Sequence, residues 1–150
     1  MQINIMVVED EEDVAAGIAR TLRRLEGVDV VTTPSAEWAL EEMSRRPYAL
    51  VLSDVRLKGM DGLELLSRIR SAQLDARVVL MTAFPSTHIE LHARRLGSDG
   101  LLEKPFDLRE LSAQVSRLLR SVRRVPSRPS VQGDRQSSAG ESDELALEKK

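Results

Sequence analysis

The 150 residues contain no cysteine, which excludes disulfide frameworks, Cys-ligated zinc, iron–sulfur clusters and thiol nucleophiles. That absence fits a reducing compartment. Aromatic residues make up 3% of the chain, too few for a base-stacking platform. A dominant charge is missing too. Lys and Arg number 22 against 24 Asp and Glu, a net charge of −2, so no strong overall field draws the chain to nucleic acid or a membrane surface. No apolar run approaches the roughly 18 residues of a membrane-spanning helix, and the opening MQINIMVVED has no basic stretch ahead of a long apolar one. At roughly 100–200 residues per domain, one core and a tail fit this length. The expectation is a soluble, cytoplasmic, single-domain protein.

Composition changes near Pro126. From there to Lys150, Pro, Ser, Gly, Gln and mixed charges dominate, and the large aliphatics are Val131, Leu145 and Leu147. Such a stretch buries too little surface to offset its ordering entropy. Residues 1–125 are therefore expected to fold and 126–150 to form a disordered tail or linker, with no output domain.

Within the folded part, short apolar runs alternate with amphipathic stretches. Ile3–Val8, Val28–Thr32, Leu50–Ser53, Val78–Met81 and Gly100–Leu102 read as strands, several of them apolar on both faces, as a parallel sheet covered by helices requires. Helical stripes run through Val14, Ile18, Leu22 and Leu25, then Ala36, Ala39, Leu40 and Met43, then Ile89, Ala93 and Leu96. The last stripe, Leu108, Leu111, Val115, Leu118, Leu119 and Val122, is the clearest. Asp107 and Glu110 suit a capping box at its start, and Gly97 a stop for the helix before it. Five strand–helix repeats predict an α/β fold, a doubly wound five-stranded parallel sheet with right-handed crossovers. The Arg pairs at 23–24, 45–46, 94–95 and 123–124 fall near helix C-termini, where cations complement the macrodipole.

Ligands in open α/β sheets bind beyond the carboxyl ends of the strands. Glu9 to Asp13 follow the first strand, Asp54 ends the third, Thr82 the fourth, and Lys104 with Pro105 follows the fifth. Acidic residues at a helix N-terminus explain Glu11, Glu12 and Asp13. They do not explain Asp54, which closes an apolar strand. Two carboxylates about 4 Å apart repel by roughly 4 kcal/mol at an effective dielectric near 20. A cluster of Glu9, Asp10 and Asp54 makes sense with a hard divalent cation such as Mg²⁺, which favours oxygen ligands. Carboxylates holding a metal beside a hydroxyl and an ammonium suit phosphoryl transfer.

Four segments in register carry a specific resemblance: VVEDEE (Val7–Glu12), LVLSDVRLKGMDG (Leu50–Gly62), VVLMTA (Val78–Ala83) and LGSDGLLEKPF (Leu96–Phe106). From about Ile3 to Val122 the chain resembles the response-regulator receiver family of two-component signalling. The resemblance implies the flavodoxin-like strand order 2-1-3-4-5 with five helices. It makes Asp54 the acceptor of a phosphoryl group from a histidine kinase or phosphotransfer protein. Asp10, Asp54 and the Arg56 backbone carbonyl would ligate Mg²⁺, with Glu9 acting largely through water. Lys104 and Thr82 would contact the phosphoryl oxygens, and Lys104–Pro105 would be a cis peptide. A downstream protein target is implied, as is homodimer or effector contact through the fourth helix, fifth strand and fifth helix. The only activities expected are self-phosphorylation and self-dephosphorylation, those of a switch rather than a metabolic enzyme.

Three departures stand out. Glu9 replaces the commoner Asp, Lys58 stands where Pro is frequent, and Leu101 occupies a switch position that usually holds Tyr or Phe. Leu101 keeps a second reading open, a phosphorylation-independent docking module. A flavin carrier of the same topology needs a hydroxyl-rich phosphate loop after the first strand, where this chain is acidic.

Other residues have plainer readings beside functional ones. His88 and His92, at i and i+4, could ligate a metal, but no third ligand is evident and Glu90 points away from both rings. Trp38 lies opposite its helix's buried stripe and suits either a partner anchor or an ordinary exposed position. Arg109, Arg117, Arg120 and Arg124 line the outer side of the last helix, as an interface or a solvated face.

Overall fold

The computed structural model describes residues 2–124, with the backbone alone at 122–124. The expected tail at 126–150, and the side chains of Val122 and Arg124, lie outside the described residues. Elements follow in strict alternation: β1 (Ile3–Val8), α1 (Glu12–Leu22), β2 (Val28–Thr33), α2 (Ala36–Arg45), β3 (Leu50–Asp54), α3 (Gly62–Ser71), β4 (Arg77–Thr82), α4 (Thr87–Leu96), β5 (Gly100–Glu103) and α5 (Leu108–Arg124). All strand pairs are parallel, in the order β2-β1-β3-β4-β5. The predicted fold is the observed one.

Side-chain alternation along the strands makes two cores. Ile3, Ile5, Val7, Leu50, Leu52, Val79 and Met81 face α1 and α5, where they meet Ile18, Leu22, Leu111, Val115 and Leu119. Met6, Val8, Val51, Val78 and Leu80 face α2, α3 and α4, packing on Ala39, Met43, Leu65, Leu66, Ile69 and Ala93. Continuous apolar strands are the cost of covering both faces of one sheet. The helix that the alternation requires between β3 and β4 is α3. Asp61 caps it by accepting the Glu64 N–H at 2.8 Å.

Some expectations need correction. The strands run past their apolar cores, so Thr33, Asp54, Thr82 and Glu103 belong to them, because parallel pairing continues through these residues whatever their polarity. Asp107 accepts the Arg109 N–H at 2.8 Å rather than bonding Glu110 as a capping box would. Leu108 is exposed, since the first turn of α5 precedes its contact with the core, and in α4 only Ala93 is fully buried. Gly97 does end α4, in the left-handed region at φ 92°. Arg23, Arg45, Arg94 and their neighbours lie at helix ends as read.

An ionic clamp ties the sheet's opposite edge together. Arg70 on α3 donates to the carbonyls of Ala76 and Gly97 and to Asp99, whose carboxylate also accepts the Val78 N–H at 2.8 Å. The acidic cluster lies at the other ends of the strands, where Lys104 is the paired cation.

Candidate functional site

The C-terminal ends of β1, β3, β4 and β5 bring the predicted residues to one cleft. Strand alternation would turn Glu9 inward after Val8, and it is buried, as are Asp54 and Thr82, whereas Asp10 is exposed. Lys104 reaches back from the end of β5. Its Nζ donates to Glu9 Oε1 at 2.6 Å and to Asp54 Oδ2 at 2.9 Å. The remaining oxygens are held by the backbone: Glu11 N–H donates to Glu9 Oε2 at 3.1 Å, and Arg56 N–H to Asp54 Oδ1 at 3.3 Å.

One oxygen each from Glu9, Asp10 and Asp54 lies within 4.8 Å of the others. An octahedral Mg²⁺ shell, with bonds of about 2.1 Å, sets ligand oxygens roughly 3–4 Å apart. The all-oxygen donor set therefore fits such an ion after a small contraction. The close packing here requires glycine at position 62, because a Cβ on it would collide with the Asp54 carbonyl oxygen.

The cleft itself, about 440 Å³, is lined by Asp10, Glu11, Asp54, Arg56, Ala83, Phe84 and Lys104. Thr82 is buried beside it, and its Oγ1 accepts the Phe84 N–H at 3.1 Å. In this arrangement the hydroxyl serves the turn after β4 as an acceptor and keeps its own proton to donate. The Lys104–Pro105 peptide is cis, as expected.

The model of the response regulator receiver domain matches residues 5–116, most of the chain. The chain belongs to that family. This receiver domain is 38% identical over 117 residues to the response regulator protein FleR of Pseudomonas aeruginosa, covering 78% of the chain but 24% of FleR. To the alkaline phosphatase synthesis transcriptional regulatory protein PhoP of Bacillus subtilis it is 32% identical, covering 80% of the chain and 50% of PhoP. The receiver domain thus spans between about a quarter and a half of these curated relatives. Among solved structures, the signal receiver domain of a putative LuxO repressor protein from Vibrio parahaemolyticus superposes with a TM-score of 0.78 at 22% identity, covering 82% of this chain and 94% of that one. The BeF3-activated DrrB receiver domain gives 0.73 at 26%, covering 80% and 99%.

Electrostatics of the receiver site follow from its burial. Desolvation pushes the Glu9 carboxyl above its ordinary pKa, although the Lys104 hydrogen bond and the Glu11 N–H pull the other way. Burial would lower the Lys104 ammonium, but its bonds to Glu9 and Asp54 outweigh that and raise it. The ammonium stands where a cation is needed.

Two further side chains meet at the cleft. The Arg56 guanidinium lies over the Phe84 ring, 4.8 Å from its centroid, and both line the mouth. The resemblance singles out the Arg56 backbone carbonyl and not its side chain, and Phe84 falls just past the segment that ends at Ala83. His88 and His92 are exposed on α4, with ring centroids 6.0 Å apart and no third donor among the described residues. Trp38 is exposed as expected, and so are Arg109, Arg117 and Arg120. No helix among the described residues is long and apolar enough to cross a membrane.

Removing the ammonium tests this balance. Lys104→Met leaves Glu9 buried without its charged partner, a loss of about 1–3 kcal/mol near neutral pH. A raised carboxyl pKa favours the folded state at low pH and loses that advantage as pH rises through the folded value. The stability gap between wild type and Lys104→Met should therefore shrink as pH falls toward 4.5, the ordinary Glu value. Denaturant titrations across that range check it, and a gap that stays constant or widens toward acid would contradict the role given to Glu9.

Proposed function

We propose that this receiver domain accepts a phosphoryl group on Asp54, with Mg²⁺, from a histidine kinase or phosphotransfer protein, and signals by changing which protein it binds. The observation that carries this reading is the convergence of Asp54, Glu9, Asp10 and Lys104, from three different strand ends, on one cleft. A docking module would have no use for so costly a concentration of charge, which counts against the phosphorylation-independent alternative.

In the proposed step an Asp54 carboxylate oxygen attacks phosphorus in line with the phosphohistidine nitrogen. The O–P bond forms as the P–N bond breaks, and the electron pair leaves with the imidazole. Bound Mg²⁺ would neutralise charge building on the transferring oxygens. Asp10, Asp54 and the Arg56 carbonyl would hold it, with Glu9 through water. Lys104, already bonded to Asp54, then exchanges a carboxylate for a phosphoryl oxygen. Thr82, whose oxygen accepts the Phe84 N–H, donates its hydroxyl proton to another. Self-hydrolysis of the acyl phosphate would reset the switch. FleR and PhoP extend well beyond the matched receiver domain.

Leu101 shapes the readout. It is half-buried on β5, pairs in register with Leu80, and packs on the α2–α3–α4 side of the sheet. A leucine has no ring whose rotation could expose or hide a large surface. A ligand shifts an equilibrium only by its differential affinity for two states, and here that difference is expected to come from Thr82 and Lys104. The α4–β5–α5 face, including a homodimer through it, should then change less than residues 82–86.

Two experiments decide these points. Acetyl phosphate with Mg²⁺ should add one phosphoryl mass to the intact chain, and Asp54→Asn should abolish it; labelling that persists in the variant rejects Asp54 as acceptor. Beryllofluoride should shift the amide resonances of residues 82–86 strongly and those around Leu101 little. Large changes centred on Leu101 and Arg117 would mean that leucine switches as fully as an aromatic residue.

A further inference from the structure

Glu37 lies in the first turn of α2, where the macrodipole accounts for an acidic residue. Its carboxylate is not left to that role. Oε2 accepts the backbone N–H of Met60 at 2.9 Å, a bond 23 residues along the chain, and Oε1 accepts the Ser35 hydroxyl at 3.3 Å. Ser35 in turn caps α2 by accepting the Trp38 N–H at 3.0 Å. The loop approaches so closely that a Cβ at Gly59 would stand 2.7 Å from Glu37 Oε2, and Gly59 itself adopts φ 75°, a left-handed conformation that side chains resist. Carboxylate, helix cap and glycine thus fit together at one point.

The segment held there is residues 55–61, between Asp54 and α3. Gly62 N–H bonds the Val55 carbonyl at 2.9 Å and closes its base, while Asp61 belongs to the α3 cap. Near its start, Arg56 N–H bonds Asp54 Oδ1. Val55, Leu57 and Met60 pack the stretch against the core beneath α2 and α3, and Glu37 adds a polar tie from α2 to its backbone. It lies on a different element from every residue of the cleft. The Met60 bond also holds its carboxyl below the ordinary range, so the carboxylate is the form that the loop selects.

We infer that Glu37 is a positioning residue for the cleft: it fixes the loop that presents the Arg56 carbonyl and so sets how well the site takes up Mg²⁺. The inference rests on the proposed metal-dependent phosphoryl acceptance at Asp54. Residues that orient ligands without touching the metal typically change its affinity by about 10–100-fold. A single exposed hydrogen bond to a loop belongs at the lower end.

The test uses the full ¹⁵N-labelled chain. Amide exchange at Met60 reports the tie without metal, and a Mg²⁺ titration reports affinity. Glu37→Ala, a helix-compatible change at an exposed position, should speed Met60 exchange and weaken Mg²⁺ binding about tenfold, with the melting temperature nearly unchanged. Glu37→Gln keeps an oxygen that can accept the same N–H and should restore both readouts toward wild type. Unchanged Mg²⁺ affinity in Glu37→Ala overturns the inference, as does a Glu37→Gln variant as weak as Glu37→Ala. If wild type itself takes up no Mg²⁺, the parent reading fails and this one falls with it; normal uptake by wild type and Glu37→Ala alike removes this one alone.

Discussion

The Lys104 ammonium, bonded at once to Glu9 and Asp54, is the contact on which the rest of the cleft depends. Both carboxylates are buried at the ends of neighbouring strands, where little water is left to screen them from one another. Each accepts one backbone N–H, but a neutral donor cannot offset a full charge at this range. The ammonium can, and it arrives from the far edge of the site, on the turn that follows β5. Three strand ends are thereby tied by a single cation. A lysine ammonium carries three donors on a flexible stem, which suits a proposed exchange of one oxygen partner for another.

The two-faced core makes that contact reproducible. Apolar residues on both sides of β1, β3 and β4 leave the strands little freedom in register, because a shift by one residue would exchange the two cores. Asp54 is therefore fixed by Leu50, Val51 and Leu52 before it, and Thr82 by Val78 to Met81. The site's charges are carried at the ends of these strands and never within them. Stability and chemistry are separated along each strand, which lets the acidic end be costly without dissolving the fold.

Much of this was legible in the residues. Doubly apolar strands, four helical stripes and a carboxylate ending an apolar run were enough for the sheet, its covering helices and the cluster of Glu9, Asp10, Asp54 and Lys104. Asp54 and Thr82 lay beyond the strand limits read from apolarity, because backbone pairing does not end where hydrophobicity does. Leu108 kept a helical spacing yet is exposed, since spacing records a face and not what covers it. The Arg56–Phe84 stack and the Glu37 tie were invisible for a different reason. They join segments that are far apart in sequence, and each residue taken singly has an ordinary explanation: a loop arginine, an isolated aromatic, a first-turn acid.

Membership of the receiver family accounts for the architecture, while the chemistry rests on whether the crowded carboxylates exist to hold a cation. Lys104 compensates two of the three, and Asp10 is the exposed member whose charge adds repulsion. An ion that binds only the folded state stabilises it in proportion to the logarithm of its concentration over Kd. Thermal melting of wild type and Asp10→Asn, each with and without Mg²⁺, tests this directly. The account predicts that Asp10→Asn melts higher than wild type in the absence of the ion, and that Mg²⁺ raises wild type more and narrows the difference. A wild type indifferent to Mg²⁺, together with an Asp10→Asn variant that melts no higher, would contradict it.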